Sequence, residues 1–130
     1  MSKFSVLIAN YNNGHFFEKC YQSLIAQTET DWEAVIVDDG SMDNSLEIIK
    51  KIIGDDQRVK INLNDQNRGI GYTKRQLIAL AESEICGFLD PDDALTRHAL
   101  EFVLKTHSEN PEAGLVYSNF VRCDEYLNPL

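Results

Sequence analysis

The feature that most constrains this chain is an alternation. Short apolar runs rich in β-formers, each stopped by a cluster of Asn or Asp, take turns with stretches whose apolar residues recur at helical spacing. Lys3 to Ala9 is the first run, broken at Asn10-Tyr11-Asn12-Asn13-Gly14. It reads as a strand buried on both faces. Phe17, Cys20, Tyr21 and Leu24 then fall at i, i+3, i+4, i+7, which predicts a helix. Trp32 to Val37 is a second apolar run, stopped by Asp38-Asp39-Gly40-Ser41. Ser41 is the expected N-cap of a second helix with Leu46, Ile49 and Ile53 on its stripe. Arg58 to Leu63 alternates polar and apolar, a strand with one face less buried.

A polar, turn-rich stretch from Asn64 to Gly71 leads into a third helix over about Tyr72 to Glu82. Ile85 to Leu89 is a fourth strand, closed by Asp90-Pro91-Asp92-Asp93. Leu95, Ala99, Phe102 and Val103 predict a fourth helix, Asn110-Pro111 ends it, and Gly114 to Tyr117 is expected as a fifth strand. Parallel strands need crossover connections, so this order implies an α/β fold: a mostly parallel sheet with helices on both faces. The 130 residues are read as one domain. No closing element is apparent from Asn119 to Leu130, so the coding sequence is expected to continue and the domain to be incomplete at its C-terminus.

Composition excludes several classes. With 12 basic and 21 acidic residues the net charge is −9, a poor match to nucleic acid, whose affinity for proteins comes from Lys and Arg. No apolar run approaches the ~18 residues of a membrane span, and Met1-Ser2-Lys3 opens directly on a strand rather than a signal peptide. Cys20, Cys86 and Cys123 are odd in number and widely spaced, so neither a disulfide framework nor a C-x-x-C metal site is expected, and the reading is of reduced thiols in a cytoplasmic protein. His15, His98 and His107 are read as surface or half-buried residues, not ligands.

In open α/β sheets, ligands bind outside the carboxyl ends of the strands. Here strand one ends in Asn10-Tyr11-Asn12-Asn13, strand two in Asp38-Asp39 and strand four in Asp90-Pro91-Asp92-Asp93. Five carboxylates on one edge would repel one another unless a cation joins them. Hard oxygen donors favour Mg²⁺ or Mn²⁺, which keep open positions for waters and substrate phosphates. Asp-Asp-Gly-Ser and Asp-Pro-Asp-Asp are also ordinary turn and cap sequences; their convergence on one edge is what favours a ligand site over that plainer role.

Ser5-Val-Leu-Ile-Ala-Asn-Tyr-Asn12, Val37-Asp-Asp-Gly-Ser-Met-Asp-Asn-Ser45, Asn67-Arg-Gly69 and Phe88-Leu-Asp-Pro-Asp-Asp93, in that order, resemble the nucleotide-sugar-binding half of family-2 glycosyltransferases with the GT-A fold. The resemblance spans residues 3 to 120 and assigns roles by matched position. Asp39 would accept a hydrogen bond from the nucleotide base, usually uracil. Ala9 and Tyr11 would line the base and ribose pocket. Asp90 would reach ribose or a metal-bound water, and Asp92 would bind the divalent metal, Mn²⁺ or Mg²⁺, that bridges two phosphates. Arg75 matches the Arg of the family's Ala-Arg-Asn segment, which reads Lys74-Arg75-Gln76 here. Gly69-Ile70-Gly71 is read as a supporting loop rather than a dinucleotide fingerprint.

The resemblance implies transfer of a sugar from a nucleoside diphosphate, UDP first among them, to an acceptor hydroxyl, with inversion. Its partners would be a nucleotide-sugar donor and, in a longer protein, a saccharide or lipid-linked acceptor, with peripheral association at the inner face of a membrane. The family's carboxylate general base comes later than the D-x-D strand, and no matching segment precedes Leu130; Asp124 lies in Arg-Cys-Asp-Glu-Tyr, which does not carry that motif. The chain alone is therefore expected to hold a donor site without performing transfer. Two other classes compete. One is a nucleotide-binding scaffold that keeps the fold without transfer. The other is a phosphotransfer domain, which would need a nucleophilic Asp where strand one has Asn10.

Overall fold

A computed structural model describes all residues from Met1 to Leu130. Its elements are β1 (Phe4–Asn10), a 3₁₀ turn (Gly14–Phe16), α1 (Phe17–Ile25), β2 (Trp32–Asp38), α2 (Ser45–Ile53), β3 (Val59–Leu63), α3 (Ile70–Leu80), β4 (Ile85–Phe88) and α4 (Ala99–Glu109). The four strands form one sheet in the order β3-β2-β1-β4, and every pairing is parallel.

Side chains alternate across a strand, so each strand feeds two cores. Phe4, Val6, Ile8, Trp32, Ala34 and Ile36 face α1, α2 and α4, meeting Phe17, Cys20, Leu24, Ile49 and Leu100. Leu7, Val35 and Val37 point the other way onto Leu77 of α3. The central strands β1 and β2 are buried on both faces, while β3 and β4, at the edges, alternate half-buried and exposed. Phe17, Cys20, Tyr21 and Leu24 are all buried, so the spacing argument for α1 holds.

Three expectations are corrected. Gly114 to Tyr117 does not form a strand; beyond α4 the one backbone pairing of strand type is an isolated antiparallel bridge between Cys123 and Pro129. β4 offers a partner only four residues of edge, one of them Gly87, and glycine weakens a strand interior. Gly114, Leu115 and Val116 instead lie over β4 and α4, bounding an apolar cavity of about 220 Å³. Ser41 does not cap α2, whose N-terminal residue Ser45 donates its N–H to the Asp43 carboxylate at 2.9 Å. In α4 the inward stripe is Leu100, Val103 and Leu104; Phe102 is 62% exposed and Leu95 precedes the helix. No helix is long and apolar enough to cross a membrane.

Glu33 of β2 is a buried carboxylate on the α3 face. It accepts from the Ser5 hydroxyl at 2.5 Å, the Glu82 N–H at 2.8 Å and the Lys60 ammonium at 3.1 Å. Burial pushes its pKa up, but these donors together outweigh burial and hold it below the ordinary range. Asp56 is held down to about 2, chiefly by the Arg58 guanidinium that also lies 3.9 Å over the Trp32 ring. A carboxyl depressed by folding adds stability above its unfolded pKa and loses it as pH falls through the folded value. Urea unfolding should therefore give constant stability from neutral pH down to about 5 and a decline below 4.5. Glu33→Gln should flatten part of that decline.

Candidate functional site

Parallel pairing puts the carboxyl ends of all four strands on one edge. Asn10 pairs with Asp38, the Asp39 N–H donates to the Asn10 carbonyl at 2.8 Å, and the Leu89 N–H continues β4 by donating to the Leu7 carbonyl at 3.0 Å. Asp39 and Asp90 thus flank the end of β1 on its two sides, about 10 Å apart by the spacing of adjacent strands. The chain steps from β1 to β2 and on to β3 on one side, and the connection after β3 crosses back to place β4 on the other side of β1, so the topological switch point lies between β1 and β4.

The Asp-Asp-Gly-Ser segment divides its work. Asp38 holds the backbone: it accepts from Asn10 Nδ2 at 2.8 Å, the Ser41 hydroxyl at 2.6 Å and the Ser41 N–H at 3.0 Å. Ser41 in turn accepts from the Asn12 N–H at 3.0 Å. Asn12 adopts φ +55°, which Asn tolerates better than most residues, and its side-chain oxygen receives the Met42 N–H at 2.9 Å. The Oδ1 of Asn10 is buried without a partner.

Asp39 is 4% exposed. Its carboxylate accepts from Asn64 Nδ2 at 2.9 Å, the Arg68 N–H at 2.8 Å and the Gly69 N–H at 2.9 Å. Burial raises its pKa, and these donors outweigh burial and lower it, so the group is anionic at neutral pH. The Thr73 hydroxyl, which donates to the Gly69 carbonyl at 3.0 Å, adds to the lowering. Gly40, at φ +71°, lets the Asn64–Gly69 loop approach this closely.

On the other side of β1, Asp90, Asp92 and Asp93 are exposed, with one carboxylate oxygen from each within 4.8 Å of the others. No protein group donates to these three carboxylates, and none of them joins an ion pair. Burial first, then the charges of Asp92 and Asp90, push the Asp93 pKa up. The same three charges, second to burial, help raise the Cys20 thiol to about 12, which sets this turn beside α1. Three clustered hard oxygens fit Mn²⁺ or Mg²⁺, with room for waters and phosphate oxygens. The sequence expectation named Asp90 and Asp92; the structure adds Asp93 through the tight turn closed by the Asp93 N–H on the Asp90 carbonyl at 3.0 Å.

The remaining expected residues divide. Ala9 is half-buried at the end of β1 against Val37 and the α3 core, and Tyr11 is 43% exposed on the same edge. Arg75 is not brought to them. α3 turns Thr73 and Leu77 inward, which leaves Arg75 on the solvent face, about 8 Å down the helix from its first residue and in no ion pair. Its neighbour Lys74 takes the inward position, half-buried, with its ammonium 4.9 Å from the Phe88 ring centroid, two residues before Asp90. Helix phase, which the motif comparison does not use, is what sets Lys74 apart from Arg75.

Against this geometry stand the comparisons with known proteins. The model of the family "Glycosyl transferase family 2" matches residues 5–128. A chondroitin synthase of Pasteurella multocida (strain Pm70) is 35% identical over 114 residues, covering 88% of this chain and 12% of that protein. The glycosyltransferase GlyG of Streptococcus pneumoniae is 31% identical over 121 residues, 93% of this chain and 40% of that one. Crystal structures of S. aureus TarS 1–349 in complex with UDP and with UDP-GlcNAc superpose with a TM-score of 0.75 at 30% identity over 82% of this chain, and 32% and 31% of theirs. The chain therefore spans well under half the length of these relatives. The α/β parallel-sheet architecture of GT-A type is shared with the TarS structures. In sequence and fold alike, the chain belongs to glycosyl transferase family 2.

Proposed function

We propose that this chain is the donor-binding portion of a glycosyltransferase that moves a sugar from a nucleoside diphosphate, UDP in the first place, to an acceptor hydroxyl. The observation that carries the reading is the placement of Asp39 and the Asp90–Asp93 turn on the two sides of β1, at one sheet edge. About 10 Å separates them, the reach of a nucleoside diphosphate from base to phosphates. The UDP and UDP-GlcNAc bound in the TarS structures support the same donor class.

In this reading the residues divide the work as follows. Asp39, held anionic, accepts the uracil ring N–H. Ala9 and Tyr11 wall the base and ribose. Asp90, Asp92 and Asp93 would hold a divalent cation, with Asp92 as principal ligand. When bound, that cation supplies Lewis-acid relief of the charge developing on a departing diphosphate. Lys74, the cation the fold turns toward β4, offers a second positive charge, ahead of Arg75. No carboxylate at this edge is assigned to take the acceptor's proton, so inverting transfer to a saccharide or lipid-linked acceptor is expected only from a longer protein.

UDP titration by calorimetry tests the reading. Wild type should bind UDP at least tenfold tighter with Mn²⁺ than without it, and Asp92→Ala should lose that gain. Equal affinity in all four combinations would remove the cation-bridged donor site.

A further inference from the structure

We propose that Gln27, just beyond the C-terminal end of α1, is a positioning residue for the acidic turn; this rests on the donor-site reading above. The Asp90, Asp92 and Asp93 carboxylates have no protein donors, so their place is set by their backbone alone. That backbone is fixed at two ends. Upstream, the Leu89 N–H bonds to the Leu7 carbonyl in the sheet. Downstream, the segment from Leu95 to Leu100 is fastened to the end of α1, and Gln27 is the centre of that fastening.

Gln27 is 4% exposed. Its Nε2 donates to the Thr96 carbonyl at 2.8 Å and the Ser23 carbonyl at 3.0 Å, while its Oε1 accepts the Leu100 N–H at 3.1 Å. The Leu100 N–H lies in the first turn of α4, where no carbonyl of the helix itself can accept it. Holding a carbonyl and an N–H from one buried side chain needs a group that both donates and accepts, which among long side chains is an amide. Two neighbours complete the clamp: the Ser23 hydroxyl accepts the Leu95 N–H at 3.1 Å, and the Thr28 N–H donates to the Arg97 carbonyl at 3.1 Å. Between Leu89 and Leu95 the turn's only internal backbone bond is the one from Asp93 to Asp90. A change at Gln27 therefore reaches the carboxylates without touching them, and groups that orient metal ligands from outside the coordination shell commonly change metal affinity 10- to 100-fold.

The test is titration of the 130-residue chain with Mn²⁺ in the presence of UDP, free Mn²⁺ being read by electron paramagnetic resonance. Gln27→Met keeps the length and shape of the side chain and removes its hydrogen bonds. It should weaken Mn²⁺ binding about tenfold while UDP affinity measured without metal stays within twofold of wild type. A merely structural role would move both affinities together or neither. A folded Gln27→Met that binds Mn²⁺ as wild type does would overturn the proposal. Should Gln27→Met fail to fold, Ser23→Ala, which releases the Leu95 N–H and, within α1, the Cys20 carbonyl, decides: a several-fold loss of Mn²⁺ affinity supports the clamp, and no change overturns it. If wild type and Asp92→Ala show the same weak Mn²⁺ binding, the donor-site reading itself fails, and the Gln27 proposal fails with it by a distinguishable result.

Discussion

Asp39→Ala should abolish measurable UDP binding and lower the unfolding free energy by about 3 kcal/mol, since each hydrogen bond to a charged group is worth about 1.5–3 kcal/mol and the three here share one acceptor. Removing the carboxylate strands three donors at once: Asn64 Nδ2 and the N–H groups of Arg68 and Gly69. The latter two open onto α3, so the loss spreads to the start of that helix. The same truncation removes the acceptor assigned to the ring N–H of uracil. Asp39→Asn separates the two effects. The Arg68 N–H and Asn64 Nδ2 reach one carboxylate oxygen and the Gly69 N–H the other, so the amide keeps an acceptor on one side only and turns an NH₂ toward the rest; stability should fall less than in the alanine variant while UDP binding is still lost. Urea unfolding paired with UDP titration checks both. An Asp39→Asn protein that binds UDP at wild-type affinity would take Asp39 out of the base site.

The second large effect is expected at Gly40. Its φ is +71°, and a Cβ placed there would lie 2.5 Å from the Gln66 carbonyl carbon and 2.6 Å from the Asn67 nitrogen. Both are backbone atoms, so no flexible side chain can yield. Left-handed strain costs about 1–2 kcal/mol, and overpacking a closed site adds about 1–3 kcal/mol. Gly40→Val should then lose about 3 kcal/mol and push the Asn64–Gly69 loop off Asp39, weakening UDP as well. Gly69 supplies the comparison. It too has positive φ, at +90°, but nothing lies within 4 Å of its absent Cβ. Its ψ of 159° puts it in a region almost closed to other residues, so Gly69→Ala should cost about 2 kcal/mol, the strain alone. If the two variants unfolded at the same urea concentration, the close approach at Gly40 would not be what fixes the loop.

The sheet was legible because its signals are local. The runs Lys3 to Ala9 and Trp32 to Val37 are mostly apolar and bounded by polar clusters, and they form the two central strands, Phe4–Asn10 and Trp32–Asp38, buried on both faces. The shared edge followed from parallelism and required no distances. What could not be read depends on contacts distant in sequence or on helix phase. Ser41 looks like a cap but is engaged with Asp38, Asn10 and Asn12. Gly114–Tyr117 has strand composition, yet pairing needs a neighbour that β4 does not supply here. Lys74 and Arg75 are adjacent in sequence and point to different sides of α3 because a residue step on a helix is 100°. Gln27 belongs to no motif at all; its partners Thr96 and Leu100 lie 69 and 73 positions away.

The two halves of the edge differ in how much freedom they retain. Asp39 is held by three donors, whereas Asp90, Asp92 and Asp93 are exposed and no protein group fixes their side chains. Ordering a side chain costs up to about 1.5–2 kcal/mol, less for short acids. For a ligand spanning both halves that cost falls almost wholly on the phosphate end. Nucleoside fragments would meet a rigid receptor, and diphosphates one that must be tightened as they arrive.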